Sequence, residues 1–327
     1  MQNILLIGAG TMGNEHARSY YAMEDVHVVG IVDKRKEKAR EIIGEHDTQI
    51  FQTLEEAVNN LEQIDVIDVC VPTFLHKEYV RKAADYGIDV ICEKPLAYTL
   101  EDAREMINYC NKKNVKLFVG HVVRFFPQYA KAKELVTNSS IGEIGVVRTR
   151  RGGNFPPGWS DWYSDQSKSG GVILDLIIHD FDFLRWNFGE VERVFAKGLA
   201  DLDYAIVTLA FESGVIAHVE GSWVHQAFST QFELAGKSGI IEYDSSKEEP
   251  VFLSMKQSNG DKNGVQVPQS PLKKSPYFIE LQHFLKCLKT NETPIVTAED
   301  AYKAMEISVA ALQSIKTGLP VTLKGEN

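Results

Sequence analysis

Short apolar runs alternate with amphipathic segments through about the first 120 residues, and this alternation constrains the fold more than any other feature. The apolar runs lie at 3–8, 26–33, 64–71, 88–93 and 115–120. They are nearly continuous in Val, Ile and Leu, which is typical of parallel strands covered on both faces. Helix-like segments lie around 12–23, 34–44, 54–61, 76–86 and 99–113. Thr53 and Thr99 precede two of these segments and are predicted helix N-caps. The alternation predicts a doubly wound α/β domain.

The pattern changes after about residue 121. Helices are predicted around 127–138, 171–188, 277–289 and 298–317. Between 191 and 255, strand-like runs are separated by turns such as ESG and KSG, which predicts hairpins and an antiparallel sheet. The polar, Gly- and Pro-containing stretch 256–276 is predicted to be a loop. We therefore expect two domains, a dinucleotide-binding domain at 1–121 and an α+β domain at 122–327.

Composition and charge narrow the class of protein. The 327 residues are 44% hydrophobic, and the formal net charge of −10 argues against nucleic acid as the main partner. We expect no signal peptide at the N-terminus, and no apolar run reaches the roughly 18 residues of a membrane span. The four cysteines show no CxxC spacing, so we expect neither a disulfide framework nor a metal site. A cytoplasmic protein fits these features.

A glycine motif points to a dinucleotide. Residues 8–13 read GAGTMG, directly after the first strand and at the start of the first helix. Gly8 allows a tight turn, Gly10 lets a pyrophosphate approach the backbone, and Gly13 lets the helix pack on the sheet. The helix N-terminus then offers N–H groups to the phosphates. Asp33 ends the second strand and is predicted to accept hydrogen bonds from the adenosine ribose.

Asp33 favours NAD over NADP, because a 2′-phosphate would meet a carboxylate. Lys34 and Arg35 follow at once; they either soften that preference, leaving NADP as the alternative cofactor, or are solvated residues before the next helix. His76 either contacts the cofactor or is a helix-capping or core-facing side chain. Beyond the glycines and Asp33, the predicted cofactor contacts are Thr11, Met12, Lys34, Pro72, Thr73, His76, Glu93 and Lys94.

A lysine follows the apolar run at 88–93. The sequence ICEKPLAY places Glu93, Lys94 and Pro95 where a strand end would open into the crevice of the sheet. Lys94 would there hold a substrate hydroxyl or stabilise a developing alkoxide. The alternative interpretation is a surface salt bridge between Glu93 and Lys94.

An acid and an imidazole lie within the apolar segment 169–186. Asp175 and His179 are four residues apart, which predicts that they share one face of a helix. His179 is suited to take a proton near neutral pH, and Asp175 would orient its ring. The alternative is a structural Asp–His pair. Asp180 and Asp182 point elsewhere on a helix, so a metal site is not predicted.

Together these motifs resemble the Gfo/Idh/MocA family of glucose–fructose oxidoreductases and inositol dehydrogenases. The resemblance covers nearly the whole chain. It rests on GAGTMG followed by His16, VPTFLH, EKPLA, VGHVVRFFPQY, GGVILDLIIHDFD and a tail pattern at Tyr277, Glu280, Leu281, Phe284 and Pro294.

The resemblance implies a Rossmann domain joined to a substrate-binding α/β domain whose large open sheet often assembles dimers or tetramers. It also implies NAD(P)-dependent redox chemistry on sugars, inositols or related polyols. Matching positions make Lys94, Asp175 and His179 the expected catalytic group. Two departures concern the pocket: Trp162 is followed by Tyr163 where many relatives have Arg, and Ile177 replaces a glycine.

Weaker candidates surround this group. Arg124, Trp162 and the catalytic side chains are the predicted substrate contacts, and Tyr129 is a further candidate. Trp159 and Trp162 lie in a loop that either closes over the nicotinamide or packs on its own domain. Arg148, Arg150 and Arg151 either bind an anionic substrate or form a solvated strand end.

The leading hypothesis is an NAD-dependent polyol or sugar dehydrogenase that forms a homodimer or homotetramer. We expect Lys94 and His179 to meet at one reacting carbon. The alternatives are a non-catalytic dinucleotide sensor on the same scaffold and a reductase acting on a non-sugar carbonyl.

Overall fold

The computed structural model describes residues 1–199, 203–247, 251–255 and 274–323. The chain forms two compact units. One comprises Met1–Phe125 with Lys273–Tyr302, and the other comprises Phe126–Leu272 with Lys303–Asn327. Within the described residues, no helix is both long enough and apolar enough to cross a membrane.

The first unit contains a six-stranded parallel sheet. Its strands are β1 (Gln2–Ile7), β2 (Val26–Val32), β3 (Gln49–Phe51), β4 (Val66–Val69), β5 (Asp89–Glu93) and β6 (Leu117–Gly120). The order is β3-β2-β1-β4-β5-β6 with every pair parallel, which confirms the doubly wound prediction. Strand β3 was not predicted, because it has only three residues and, of these, only Phe51 is buried.

Helices connect these strands. They are α1 (Thr11–Tyr21), α2 (Lys36–Ile43), α3 (Leu54–Asn60), α4 (His76–Asp85) and α5 (Leu100–Lys113). Both predicted N-caps are confirmed: the Thr53 side chain accepts the Glu56 N–H, and the Thr99 side chain accepts the Asp102 N–H.

A helix from the far end of the chain completes this unit. Helix α10 (Pro276–Thr290) buries Phe278, Leu281 and Phe284 in the same core as Ile4 of β1 and Tyr20 of α1. The first compact unit thus combines residues that are distant in the sequence, and the domain boundary at residue 121/122 stays a prediction. Sequence order separates α10 from β1, but its apolar face packs beside it.

The second unit contains an eight-stranded sheet. Its strands are β7 (Ile144–Asn154), β8 (Val191–Gly198), β9 (Tyr204–Phe211), β10 (Ile216–Ser222), β11 (Val224–Gly236), β12 (Gly239–Asp244), β13 (Phe252–Met255) and β14 (Val321–Thr322). The order is β13-β12-β11-β7-β10-β9-β8-β14. Among the described strands of this second sheet, only the β7–β10 pair is parallel, so the mostly antiparallel prediction is confirmed. Most of the predicted loop at 256–276 lies outside the described residues.

The remaining helices are α6 (Pro127–Thr137), α7 (Gln166–Ser169), α8 (Gly171–Asp175), α9 (Ile178–Phe188) and α11 (Ala298–Thr317). The prediction of one continuous helix over 171–188 is wrong. The Ile177 N–H donates to the Val172 carbonyl, five residues back, and α9 starts at Ile178. Ile177 packs on β10: its methyl group would lie 2.4 Å from a Cβ placed on Gly221. The glycine that leaves room for Ile177 is therefore on a neighbouring strand.

Candidate active site

The carboxyl ends of β1, β4 and β5 lie side by side in the parallel sheet of the first unit. The segments that follow these three strands contain the glycine motif, the VPTFLH segment and the EKP segment. Open α/β sheets bind ligands at this edge. The order of the strands therefore brings most of the predicted cofactor contacts to one edge of the sheet.

Two glycines of the motif are required by close backbone packing. Gly8 has φ +103°, and a Cβ there would lie 2.4 Å from the Cys70 carbonyl oxygen. A Cβ on Gly13 would lie 1.9 Å from the Gly8 carbonyl oxygen. Larger residues at either position would displace the turn or the first helix from the sheet.

Gly10 differs from both, because a Cβ there would meet no heavy atom within 4 Å. It is the N-cap of α1, and having no side chain it leaves the first N–H groups of the helix open. An open helix N-terminus with its positive dipole end suits the pyrophosphate of a dinucleotide. The residues present therefore fit NAD at this turn.

Asp33 is fixed beside the glycine turn. Its Oδ2 accepts the Ala9 N–H over 2.8 Å, and its carboxylate also accepts the Arg35 Nε–H over 3.1 Å and an Nη2–H over 3.0 Å. Burial opposes ionisation, but the hydrogen bonds from Arg35 and from the backbone lower the pKa of Asp33. The carboxylate is charged and partly neutralised by Arg35, whereas Lys34 is exposed.

His76 links the turns that follow β4 and β5. Its Nε2 lies 2.9 Å from the Val71 carbonyl oxygen, and its Nδ1 lies 3.0 Å from that of Pro95. Burial lowers the pKa of His76. Of the two interpretations from the sequence, these contacts support the core-facing one, and cofactor contact stays a prediction. Pro72 and Thr73 lie in the same turn, immediately before α4.

Glu93 is the last residue of β5 and its side chain is buried, with only 5% of the residue exposed. It accepts a hydrogen bond from His16 over 3.0 Å and one from the Lys94 N–H over 3.0 Å. A solvent-exposed Glu93–Lys94 ion pair does not fit a carboxylate in this position. Lys94 itself is half-buried.

A buried polar network that the sequence did not reveal lies behind Glu93. His16 Nδ1 lies 2.8 Å from Asp68 Oδ2. The Tyr20 hydroxyl donates to that same oxygen over 2.7 Å, and Cys70 Sγ lies 3.3 Å from His16 Nδ1. The available signal was Asp68, an acid inside an otherwise apolar strand, where a charge requires a partner.

Two of the side chains predicted in the second unit lie on either side of the helix break. Asp175 is the buried last residue of α8, and His179 is a half-buried residue in the first turn of α9. Because the helix breaks between Asp175 and His179, their i,i+4 spacing does not put them on one helical face. Trp162 is buried, and the centroids of the Trp162 and Tyr163 rings are 4.0 Å apart.

The arginine candidates have partners in their own units. Arg124 is buried in the first unit and donates to the Ile295 carbonyl over 2.7 Å. Arg151 is buried and donates to Asp180 over 2.7 Å and to Tyr129 over 3.1 Å. Arg150 lies 3.2 Å from Glu220, and Arg148 pairs with Glu233. The cluster at 148–151 is therefore neutralised locally, and substrate contact by Arg124 stays a prediction.

Two family models match the chain. The oxidoreductase family with an NAD-binding Rossmann fold matches residues 2–121, and the C-terminal alpha/beta domain of the same family matches residues 133–323. The chain belongs to the Gfo/Idh/MocA oxidoreductase family.

Curated Gfo/Idh/MocA relatives match over the full length. A myo-inositol 2-dehydrogenase from Thermotoga maritima is 32% identical, with 98% of each chain covered. A scyllo-inositol 2-dehydrogenase (NAD(+)) from Bacillus subtilis is 30% identical, with 97% of this chain and 95% of the relative covered.

Solved structures of the family agree with the fold. A probable dehydrogenase from Thermotoga maritima is 31% identical with a TM-score of 0.82, covering 98% of both chains. A myo-inositol dehydrogenase from Corynebacterium glutamicum is 25% identical with a TM-score of 0.82, covering 100% of both chains.

Proposed function

We propose that the protein is an NAD-dependent dehydrogenase that transfers hydride between the cofactor and a CH–OH carbon of an inositol, a sugar or a related polyol. The observation that carries this proposal is the full-length similarity to a myo-inositol 2-dehydrogenase at 32% identity. The open helix N-terminus at Gly10 and the fixed carboxylate of Asp33 support it independently.

The cofactor would be held by the carboxyl edge of the parallel sheet. The N–H groups at the start of α1 would bind the pyrophosphate, and Asp33 would bind the adenosine ribose. When bound, NAD supplies a hydride acceptor at its nicotinamide ring. Further proposed cofactor contacts are Thr11, Met12, Lys34, Pro72, Thr73, His76, Glu93 and Lys94.

The chain itself would manage the proton and the developing charge. The imidazole of His179 takes the proton of the substrate hydroxyl, and the carboxylate of Asp175 stabilises the resulting imidazolium. The ammonium of Lys94 stabilises the negative charge that develops on the substrate oxygen. Arg124 and Trp162 are proposed to contribute further substrate contacts.

A spectrophotometric panel tests the reaction class. The protein is mixed with NAD and with inositols, hexoses or sugar acids, and absorbance at about 340 nm reports NADH. The proposal expects turnover with at least one inositol or sugar. Silence across the panel with NAD still bound would instead favour a non-catalytic sensor, and turnover only with NADH and non-sugar carbonyls would favour a reductase.

Two substitutions test the assigned roles. Lys94→Ala and His179→Ala should each reduce kcat by at least about 100-fold, because each removes a charge-stabilising or proton-transferring group. NAD should still bind to both variants. Lys112→Ala, an exposed lysine on α5, and His46→Ala, an exposed histidine between α2 and β3, are matched controls. Near-normal turnover in either test variant would refute that residue's role.

We also propose an oligomeric state and a cellular compartment. One face of the eight-stranded sheet exposes Ile206 (47%) and Ile216 (44%). Exposed apolar residues on an open sheet support a homodimer or homotetramer, which light scattering after size exclusion would test. The four cysteines are all free and buried, which supports a reducing cytoplasm.

A further inference from the structure

His16 lies inside the first unit between two acidic side chains. Its ring is completely buried, as is Asp68 on β4, and Glu93 at the end of β5 is nearly so. Nδ1 lies 2.8 Å from an Asp68 oxygen and Nε2 lies 3.0 Å from a Glu93 oxygen. Both ring nitrogens therefore face acceptors.

With both carboxylates ionised, this arrangement requires a charged ring. A neutral imidazole has one N–H, whereas an imidazolium donates from both nitrogens. Burial alone would lower the pKa of His16, but the Asp68 carboxylate and the hydrogen bonds with Asp68 and Cys70 raise it well above its usual value. Burial likewise disfavours the ionised form of Glu93, but its bonds with His16 and Lys94 lower its pKa. A buried carboxylate is thus held by a buried cation.

The other groups around His16 do not replace this charge. Cys70 stays a neutral thiol, because burial raises its pKa. Tyr20 on the same helix and Tyr277 on α10 stay neutral phenols, because burial raises the pKa of each. The nearby Glu280 of α10 also acts to raise the pKa of Tyr20. His16 supplies the positive charge for Asp68 and Glu93.

A metal ion is not needed to explain the cluster. Ligand-type atoms of His16, Asp68 and Cys70 lie within 4.8 Å of one another. The 2.8 Å separation of His16 Nδ1 and Asp68 Oδ2 is that of a charge-assisted hydrogen bond.

The hydrogen bonds continue from His16 to the main chain of the proposed catalytic lysine. Glu93 uses one carboxylate oxygen for His16 and the other for the Lys94 N–H. A Cβ on Gly120 would lie 3.4 Å from that carboxylate, so the strand backbone of β6 limits its movement. On the far side of Lys94, His76 contacts the Pro95 carbonyl. The backbone at Lys94 is held from both directions.

We propose that His16 is a positioning residue for the dehydrogenase reaction: as an imidazolium it fixes the Glu93 carboxylate, which in turn fixes the main chain from which Lys94 reaches the substrate. This role rests on the proposed function of Lys94. Helix α1 would then have two roles, because its N-terminus would bind the cofactor and its His16 would orient Lys94.

Two isosteric variants separate the two sides of the His16 ring. The amide nitrogen of His16→Gln replaces Nε2 and keeps a donor toward Glu93. The amide nitrogen of His16→Asn replaces Nδ1 and keeps a donor toward Asp68. Both variants are neutral, so they lose the same charge. Tyr20→Phe removes a hydrogen bond on the Asp68 side only and is the control for general loosening of the network.

The expected result is a difference in kcat with little change in NAD affinity. Since a misplacement of about 1 Å can cost on the order of 100-fold in rate, His16→Asn should lose roughly 10- to 100-fold in kcat. His16→Gln should keep several times more activity than His16→Asn. Tyr20→Phe should stay within about threefold of the wild type. Equal losses in the two His16 variants, or a better His16→Asn, would overturn the proposal.

A second measurement is independent of turnover. Competitive labelling with acetic anhydride, read by mass spectrometry over a pH series, reports the reactivity of the Lys94 amine in the whole protein. The labelling rate should change more than about threefold in His16→Asn and less in His16→Gln, in keeping with the size of the rate effect. An unchanged rate in both variants would contradict the connection.

Two further variants, Glu93→Gln and Lys94→Ala, cover the cases in which the His16 variants do not fold or Lys94 has no role. If neither His16 variant folds, Glu93→Gln should lower kcat about tenfold or more with NAD binding retained, and wild-type kcat in Glu93→Gln would refute the proposal. If Lys94→Ala itself has wild-type kcat, the proposed role of Lys94 in the reaction fails, whereas the labelling result still tests the connection between His16 and Lys94.

Discussion

Gly10→Ala is the substitution that best separates cofactor binding from folding. The backbone at Gly10 has φ −86° and ψ −163°, which any residue can adopt, and an added Cβ meets no protein atom within 4 Å. The cost to the fold is therefore that of alanine as a helix N-cap, at most about 1 kcal/mol. For a unit of this size that is a fall in Tm of roughly 2–4 °C.

The binding cost should be larger, because the methyl group occupies the space through which the pyrophosphate approaches the N–H groups of α1. We expect the dissociation constant for NAD to rise at least about tenfold, which is about 1.4 kcal/mol. Isothermal titration calorimetry measures the affinity, and differential scanning calorimetry measures Tm.

Two other glycines serve as comparisons. Gly145→Ala on β7 also meets no atom within 4 Å and should change neither affinity nor Tm appreciably. Gly8→Ala should lower Tm strongly, because its Cβ would meet the Cys70 carbonyl at a positive φ. An NAD affinity within about twofold of the wild type in Gly10→Ala would show that the pyrophosphate does not lie over this turn.

Three further predictions follow from charged groups. The folded-state pKa of His16 is raised, so the protonated ring stabilises the fold fully below about pH 6.5, and this stabilisation is lost as pH rises through the folded pKa. The Tm of the wild type should therefore fall above neutral pH, and the Tm of His16→Gln should fall less. Arg35→Ala leaves the Asp33 charge unneutralised, so the NADP dissociation constant measured by calorimetry should rise about tenfold while that of NAD changes less than about threefold; equal changes would contradict a role of Arg35 in discrimination. Asp180→Ala leaves Arg151 buried without its carboxylate and should cost about 3–5 kcal/mol of unfolding free energy in urea titrations, and a loss below about 1 kcal/mol would contradict this.

The sequence was most informative where periodicity and local chemistry agree. Continuous Val, Ile and Leu runs separated by amphipathic segments predicted five of the six parallel strands. The glycine motif acts over a few adjacent residues, and the close approach of Gly13 to the Gly8 carbonyl oxygen lies within the motif itself. Local signals of this kind need no knowledge of the tertiary structure.

Features that depend on distant residues were missed. The break after Asp175 lies in a segment that is apolar on both sides, and it is accommodated by Gly221, about forty positions away in the sequence. The network around His16 joins α1, β4 and β5, so no local pattern shows it. Asp68 was the one visible sign, as a charge in a buried strand, but its partner could not be read from the neighbouring sequence.

The packing of α10 against β1 and α1 has a consequence for synthesis of the chain. Residues 1–125 are synthesised well before Phe278, Leu281 and Phe284 of α10. Part of the apolar surface of the nascent parallel sheet therefore stays uncovered until α10 has been made. A fragment cut after the last parallel strand would keep that surface exposed to water. The nucleotide-binding half is accordingly not a contiguous cassette that can be transplanted by joining its first and last strands to another protein.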